Sequence, residues 1–299
     1  VAKISLKELI KIRAEMLRQV RLFFYKRKVL EVDSPHLGQT TTPDPQVLSI
    51  RAGEKYLLTS PEFFLKRLLA NGSGDVFQMA HVFRDDMDSP RHRKEFMLLE
   101  WYRVGFDLHK LMHEVFDLVS LFLPGLKFKA ISYKNIYKKH TGIDDVFMAN
   151  KEELAAIWQK FKQTDEVSDN MSKTDWLDLI MLDIIEPNLS GAVFIHSYPR
   201  EQAALARIEN GVALRFELYI NGVEIANGFD ELTVKSEQRA RLRLENKKRE
   251  KLGLEQVPLD NEFLSAVASL PQCSGVALGI DRLLMVTLGL SDINQVGIF

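Results

Sequence analysis

Phe216-Glu217-Leu218-Tyr219-Ile220-Asn221-Gly222-Val223-Glu224-Ile225-Ala226 is the stretch that decides how this chain is read. Asn-Gly between alternating segments is the strongest short-range hairpin signal, because both turn residues must take a positive φ. With Asn221-Gly222 as a two-residue turn, Ile220 pairs with Val223, Tyr219 with Glu224, and Leu218 with Ile225. One face then carries Leu218, Ile220, Val223 and Ile225, all apolar, and the other carries Glu217, Tyr219 and Glu224. A slip of one residue would scramble that division. Glu217 and Glu224 therefore sit diagonally on one face, with Cβ atoms about 7 Å apart. Two carboxylates at that spacing fit a Mg²⁺ site, since this ion favours one or two carboxylates plus substrate phosphates. A solvated polar face would show the same alternation. Glu231 adds a third carboxylate after Ala226-Asn227-Gly228, placed to receive an amine.

Outward from the hairpin, apolar residues from Leu6 to Val29 recur at helical spacing. Asp33-Ser34-Pro35 ends that pattern. Tyr56 to Thr59 reads as a short strand, and Ser60-Pro61-Glu62 as a helix start with serine at the N-cap and proline at the first helical position. Val76–Arg84 and Phe96–Val104 are strand-like around a polar connection. Residues 107–122, 131–141, 151–162 and 173–186 look helical. Strand character returns at Val193–His196 and Ala213–Ile220. A charged helix follows at 234–251, and then a last strand, Cys273–Ile280, feeds a helix at Asp281. Strands with clustered rather than alternating helices predict an α+β fold with a mostly antiparallel sheet flanked by helices. The expected organisation is one catalytic domain over 1–299 with a helical insertion around 130–190.

The chain's 299 residues, 46% of them apolar, are enough for such a domain, and a net charge of −1 lacks the basic excess of a nucleic-acid binder. Cys273 is the only cysteine and no apolar run is long enough to span a bilayer, so the expectation is a cytoplasmic protein.

Arg84 ends one strand beside Asp85-Asp86, where an arginine can make charge-assisted bonds to a phosphate and a carboxylate at once. Phe96 opens the next strand and has a face to offer a base, although a core position suits it equally. In Gly275-Val276-Ala277-Leu278-Gly279-Ile280-Asp281-Arg282 the glycines permit close backbone approach. Arg282 lies where a helix dipole disfavours a cation, which points to an anionic ligand.

These segments, in order, resemble the three motifs of class II aminoacyl-tRNA synthetases. Pro35 matches the motif 1 proline, Phe83-Arg84 through Phe96 matches motif 2, and Gly279-Ile280-Asp281-Arg282 matches motif 3. Ser60-Pro61-Glu62, Leu99-Glu100-Trp101-Tyr102 and Glu224 through Glu231 narrow the resemblance to the lysyl-tRNA synthetase branch. Only 34 residues precede Pro35, too few for an anticodon-binding barrel, and Ala277 stands where lysyl-tRNA synthetases usually have glycine. Both features resemble the stand-alone paralogues that modify elongation factor P.

The resemblance implies activation of (R)-β-lysine or lysine by ATP and Mg²⁺, transfer to a lysine of elongation factor P, and a homodimer. It implies that Arg84 contacts the α-phosphate and substrate carboxylate, Phe96 stacks on adenine, and Arg282 contacts the γ-phosphate. Asp86, Arg93, Glu224, Ile225 and Gly279 complete the ATP contacts, and Glu217 with Glu224 holds Mg²⁺. Ser60, Pro61 and Glu62 would bind the amine near the carboxylate, while Glu231, Glu100 and Tyr102 receive the distal ammonium. Asn227 would orient the carboxylate, and Ala277 would shape the pocket. Asp86 departs from the usual motif 2 glutamate, and Arg91-His92-Arg93-Lys94 is more basic than the usual His-Asn-Pro. The alternatives are tRNA charging, or a catalytically silent paralogue that senses ATP or lysine.

Overall fold

A computed structural model describes residues 4–87, 89–164 and 171–298. The chain divides into two compact units, residues 1–124 with 230–299, and residues 125–229.

The first unit opens with α1 (Leu6–Lys26), whose N-cap Ser5 accepts a hydrogen bond from the Glu8 amide. Its buried face is Leu9, Met16, Val20, Phe23 and Phe24, the stripe expected of an amphipathic helix. Phe24 stacks on Phe77 at 4.5 Å between ring centroids and meets Trp101 edge-on at 5.2 Å. The short strands β1 (Leu30–Glu31), β2 (Leu37–Gly38), β3 (Arg51–Ala52) and β4 (Lys55–Leu57) lead to α2 (Glu62–Ala70). Then come β5 (Val76–Phe83), β6 (Glu95–Val104) and α3 (Leu108–Ser120).

In the second unit β7 (Phe128–Ser132) precedes α4 (Tyr133–Thr141), α5 (Lys151–Lys162) and α6 (Lys173–Ile180). These are followed by β8 (Ala192–Pro199), β9 (Ile208–Glu209), β10 (Val212–Ile220) and β11 (Val223–Asp230). The first unit resumes with α7 (Lys235–Lys251), α8 (Asn261–Val267), β12 (Cys273–Gly279) and α9 (Ile280–Thr287).

The strand order within the first unit is β1-β5-β6-β12, with β2-β4-β3 as a separate small sheet, and within the second it is β11-β10-β8-β7. Among the described pairings within each unit, β1 with β5 and β7 with β8 run parallel and the others antiparallel, so the α+β, mostly antiparallel expectation holds. In the second unit α4, α5 and α6 pack Tyr133, Tyr137, Leu154, Trp176 and Ile180 against Ile195, Tyr198 and Tyr219 of the strands.

Three local expectations are corrected. Residues 128–132 form a strand ahead of the helix expected from 131, because Ser132 caps that helix through the Asn135 amide. The helix expected over 173–186 stops at Ile180 and continues as a wider turn over Met181–Ile185. At the start of α2, Pro61 and not Ser60 occupies the N-cap position, yet Ser60 Oγ still accepts from the Glu62 amide at 3.1 Å. Ser60 stands one residue further out because its hydroxyl also donates to Glu100 at 2.7 Å.

The hairpin forms where the sequence places it. Asn221 and Gly222 both have positive φ, +49° and +76°. Asn221 is tied on both sides, its amide donating to Gly191 O at 2.9 Å and its Oδ1 accepting from the Gly191 amide at 2.8 Å. A Cβ on Gly222 would lie 2.4 Å from the Glu186 carbonyl oxygen. Gly222→Ala should therefore destabilise the chain by about 2 kcal/mol or more, from positive φ and the clash together. Urea unfolding checks this, with Asn221→Gly as the milder control.

Candidate active site

Ile220↔Val223 and Tyr219↔Glu224 pair as expected, but a β-bulge follows, and Leu218 faces Ala226 instead of Ile225. The extra residue has a consequence. Past the bulge Glu217 faces Asn227, so Glu217, Tyr219, Glu224 and Asn227 all lie on one face of the ribbon. Ile225 is buried.

Glu217 is not an open ligand. One carboxylate oxygen accepts from the Arg215 guanidinium and, at 3.4 Å, from Asn227 Nδ2. The other accepts from the Tyr198 and Tyr219 hydroxyls, both at 2.6 Å. Its lone pairs are taken, and Arg215, partly buried, has its charge reinforced against the penalty of burial chiefly by Glu217. These donors hold the carboxylate that the resemblance assigns, with Glu224, to Mg²⁺. Glu224, half-buried on the same face, adds its charge to that acting on Arg215 and Tyr219. Among the described residues no cluster of three or more metal-ligating side chains occurs.

In the first unit β6 and β12 pair so that Tyr102 faces Gly275, Glu100 faces Ala277 and Leu98 faces Gly279. Alternation puts Glu100 and Tyr102 on one side of the sheet, and α2 and the segment after β11 deliver Glu62, Lys66 and Glu231 to it. Glu100 and Glu231 are 2% and 1% exposed. Glu100 accepts from the Tyr102 hydroxyl at 2.5 Å and from Ser60 at 2.7 Å. Both oxygens of Glu231 are shut from water, and the cation that meets them is Lys66. Lys66 Nζ lies 2.6 Å from Glu231 Oε2 and 2.6 Å from Glu62 Oε1, so the two carboxylates share one ammonium. A Cβ on Gly275 would lie 2.2 Å from the Tyr102 ring and 2.6 Å from Glu231 Oε1, so only glycine lets the two side chains approach β12 this closely.

Burial, with Glu62 adding repulsion, pushes the Glu100 carboxyl up to about 7, against its hydrogen bonds from Tyr102 and Ser60. Burial likewise pushes Glu231 up to about 8, opposed chiefly by Lys66. For Lys66 burial works against the charge but is outweighed by Glu231 and then Glu62, so the ammonium is held well above the ordinary lysine range.

Arg84 follows β5, its Nε donating to Thr59 O at 3.4 Å and its guanidinium 5.1 Å from the Phe96 ring centroid. Phe96 rests on Ala80, Val82 and Leu98, with Ala277 against the same group. Arg282 sits in the first turn of α9, its Nε donating to Arg91 O at 3.2 Å, and Gly279 lies under its side chain. Asp281 fixes that turn by accepting from the Met97 amide at 2.7 Å and pairing with Arg13 of α1. Residues 89 and 92 bridge across a tight turn, and Ile293 donates to Pro90 O at 2.8 Å. Arg93 reaches the backbone of Gly297. Burial and then the positive field of Arg282 and Arg84, against Asp86, hold the His92 imidazole below its usual range. Asp86, Arg84 and Arg282 thus act on one point, a cation-rich surface suited to a polyphosphate.

The match to known proteins is decisive at this point. Residues 2–299 fit the family model described as tRNA synthetases class II (D, K and N). The chain belongs to that family. Among its relatives, the elongation factor P–(R)-β-lysine ligase of Proteus mirabilis is 39% identical over 300 residues, covering 95% of this chain and 92% of that protein. The enzyme of the same name from Pasteurella multocida is 39% identical over 96% of this chain and 93% of its own. That from Klebsiella pneumoniae strain 342 is 38% identical over 95% and 92%. No helix among the described residues is long and apolar enough to cross a membrane.

Within this class II scaffold, Lys66, Arg215 and Asp281 escaped the motif reading. The four-residue step from Glu62 to Lys66 is an ion-pair spacing on a helix and was the available signal for the first. Arg215 alternates with Glu217 on the same strand face, which was the signal for the second.

The raised carboxyls carry a pH signature. Between about pH 4.5 and 8 the unfolded chain has ionised Glu231 while the folded chain retains the proton, so this group lowers stability as pH rises. Raising the pH from 5.5 to 8 should depress the Tm of the ligand-free wild type more than that of Glu231→Gln, measured by calorimetry. Equal shifts would show that Glu231 is ionised throughout.

Proposed function

We propose that the chain is an ATP-dependent ligase that activates (R)-β-lysine as its adenylate and passes the acyl group to a lysine side chain of elongation factor P. Membership of the class II family and full-length similarity to ligases of that name support the reaction. The observation that carries the substrate assignment is an excess of acid around one ammonium: Glu231, shut from water, lies beside Glu100 and Glu62 and shares Lys66 with Glu62. Negative charge left over in so dry a place costs several kcal/mol, and a substrate ammonium offsets it.

In the first step a carboxylate oxygen of the amino acid attacks the α-phosphorus of ATP and the bond to pyrophosphate breaks. This chain's work is orientation and charge. Glu100, Tyr102 and Glu231 hold the distal ammonium, and Glu62, with Ser60 and Pro61 setting its helix, takes the amine nearer the carboxylate. Arg84 meets the α-phosphate and substrate carboxylate, Arg282 the γ-phosphate, and Phe96 the adenine, with Asp86, Arg93, Ile225 and Gly279 completing the ATP contacts. Positioning with fixed positive charge suffices for phosphoryl chemistry that needs no protein nucleophile. In the second step the neutral ε-amine of the acceptor lysine attacks the acyl carbon, AMP leaves, and the amine proton passes to solvent. Ala277, in register with Glu100 and packed beside Phe96, stands where its methyl shapes the space for a β-amino acid. Asn227 is tied to Arg215 and Glu217 and would orient the carboxylate. We assign a homodimer through the segment at Pro35 on the family resemblance.

ATP–pyrophosphate exchange with (R)-β-lysine and α-lysine side by side, followed by transfer of labelled β-lysine to purified elongation factor P, tests the assignment. Exchange and transfer with the β-isomer are expected, and adenylate formation without transfer would overturn the acceptor. Arg84→Ala or Arg282→Ala should each lower exchange by about 10²–10³-fold.

With the triphosphate bound, Mg²⁺ would offset its charge, and Glu224 with Glu217 on the same face would hold the ion. Glu224→Gln should raise the Mg²⁺ concentration needed for half-maximal exchange. Glu217→Gln, which also removes the carboxylate paired with the partly buried Arg215, should in addition lower stability by about 3 kcal/mol. A titration of each variant against Mg²⁺ with parallel melting curves separates the two roles.

A further inference from the structure

Lys66 takes no part in the reaction as written, yet it lies among the carboxylates assigned to the amino acid. It is 1% exposed, and its ammonium touches Glu62 and Glu231, two of the carboxylates assigned to the substrate's amines. The Tyr102 and Phe263 ring centroids, each 6.0 Å from Nζ, wall it off on the remaining sides. A lysine does not enter so dry a place for packing alone, since burial of an ammonium without partners costs several kcal/mol. Nor does it neutralise the pocket. Glu62, Glu100 and Glu231 bring three carboxylates to one ammonium, which Glu62 and Glu231 share.

We propose that Lys66 is a positioning residue whose fixed ammonium offsets one of the three carboxylates and so matches the pocket to a ligand bearing two ammonium groups. This rests on the reading that the pocket receives the amino acid, and it deepens that reading by naming what sets the charge of the site. Geometry assigns the division of labour. Lys66 spans Glu62 and Glu231 from the α2 side, and Glu100, held by Tyr102 and Ser60, is the carboxylate it does not pair with.

The charged and titratable groups facing the cluster are Glu62 and Lys66 of α2, Glu100 and Tyr102 of β6, Glu231, and the buried Cys273 thiol of β12, on which Asp230 and Asp75 also act. Of these, Glu100 and Glu231 change charge near neutrality. A diammonium ligand binds their ionised forms, so its kcat/KM rises as pH climbs through about 7 to 8. Lys66 is among the groups that hold both carboxyls down. Without it they keep their protons to higher pH, and the ligand must displace those protons to bind.

The test is the pH profile of pyrophosphate exchange with (R)-β-lysine for wild type, Lys66→Met and Lys66→Arg. In parallel, ¹³C titration of the glutamate carboxyls in the ligand-free chain reads the same groups without relying on activity. Lys66→Met should raise KM at neutral pH about a hundredfold with kcat little changed, and move the acidic limb up by about one unit or more. Lys66→Arg keeps the charge and should keep the limb. A Met variant with wild-type KM and limb, or one that loses kcat with the limb unmoved, would reduce Lys66 to a packing role. If the Met variant does not fold, the Arg variant decides, and a displaced limb there overturns the proposal. Wild-type chain that exchanges with neither lysine isomer would instead defeat the substrate reading, and the carboxyl titrations would still judge Lys66.

Discussion

A carboxylate closed off from water and given only a shared cation is unstable as an anion, and Glu231 is held in that state by the fold around it. Its neighbours are arranged to tolerate it. Gly275 withholds the Cβ that would push Glu231 and Tyr102 off β12, Lys66 supplies part of the missing charge, and burial raises the carboxyl until a proton can stand in for a ligand. Each accommodation lowers the penalty without removing it. The residual deficit is available to a ligand, which is how a binding site differs electrostatically from a structural ion pair.

The β10–β11 ribbon solves a different problem. A strict two-residue hairpin would put residues 224 and 226 on one face and leave Asn227 on the other. The bulge after Glu224 adds one residue, so Glu224 and Asn227, three apart in sequence, share a face with Glu217 and Tyr219. Polar groups from both strands then converge, and Arg215, Tyr198 and Tyr219 saturate Glu217. The turn that fixes this register depends on Gly222, which has both positive φ and a carbonyl at its back.

Elements governed by local chemistry were legible in the sequence. Asn221-Gly222 announced its turn, the stripe from Leu9 to Phe24 announced α1, and the motif residues Arg84, Glu100, Glu231 and Arg282 could be named before any coordinates. What escaped were features set by partners distant in sequence. The bulge at Ile225 follows from pairing along the whole of β10, and no window around residue 225 signals it. Ser60 was displaced from its capping position by Glu100, forty residues on. Lys66 reads as a surface lysine of an amphipathic helix until Glu231 arrives from the far end of the chain. Composition also hides it, since a net charge of −1 says nothing about where the charges are buried.

Glu217 and Glu231 together show why burial alone does not identify a ligand-binding carboxylate. They are 7% and 1% exposed, and both would pass a search for buried acids. Glu217 accepts from a guanidinium, two phenols and an amide, whereas Glu231 shares the Lys66 ammonium with Glu62. The first is satisfied within the protein, so removing it takes the carboxylate from Arg215 and damages the fold. The second has half a cation, and the chemistry of a further partner is prescribed by what Lys66 leaves unneutralised. A dry pocket that is short of positive charge disfavours neutral side chains by leaving that excess acid unmet, which is a stronger discrimination than shape alone provides. On that argument the amine end of the substrate is selected by an electrostatic deficit, and only the placement of its carboxylate and of the carbon between is left to the contours near Ala277 and Phe96.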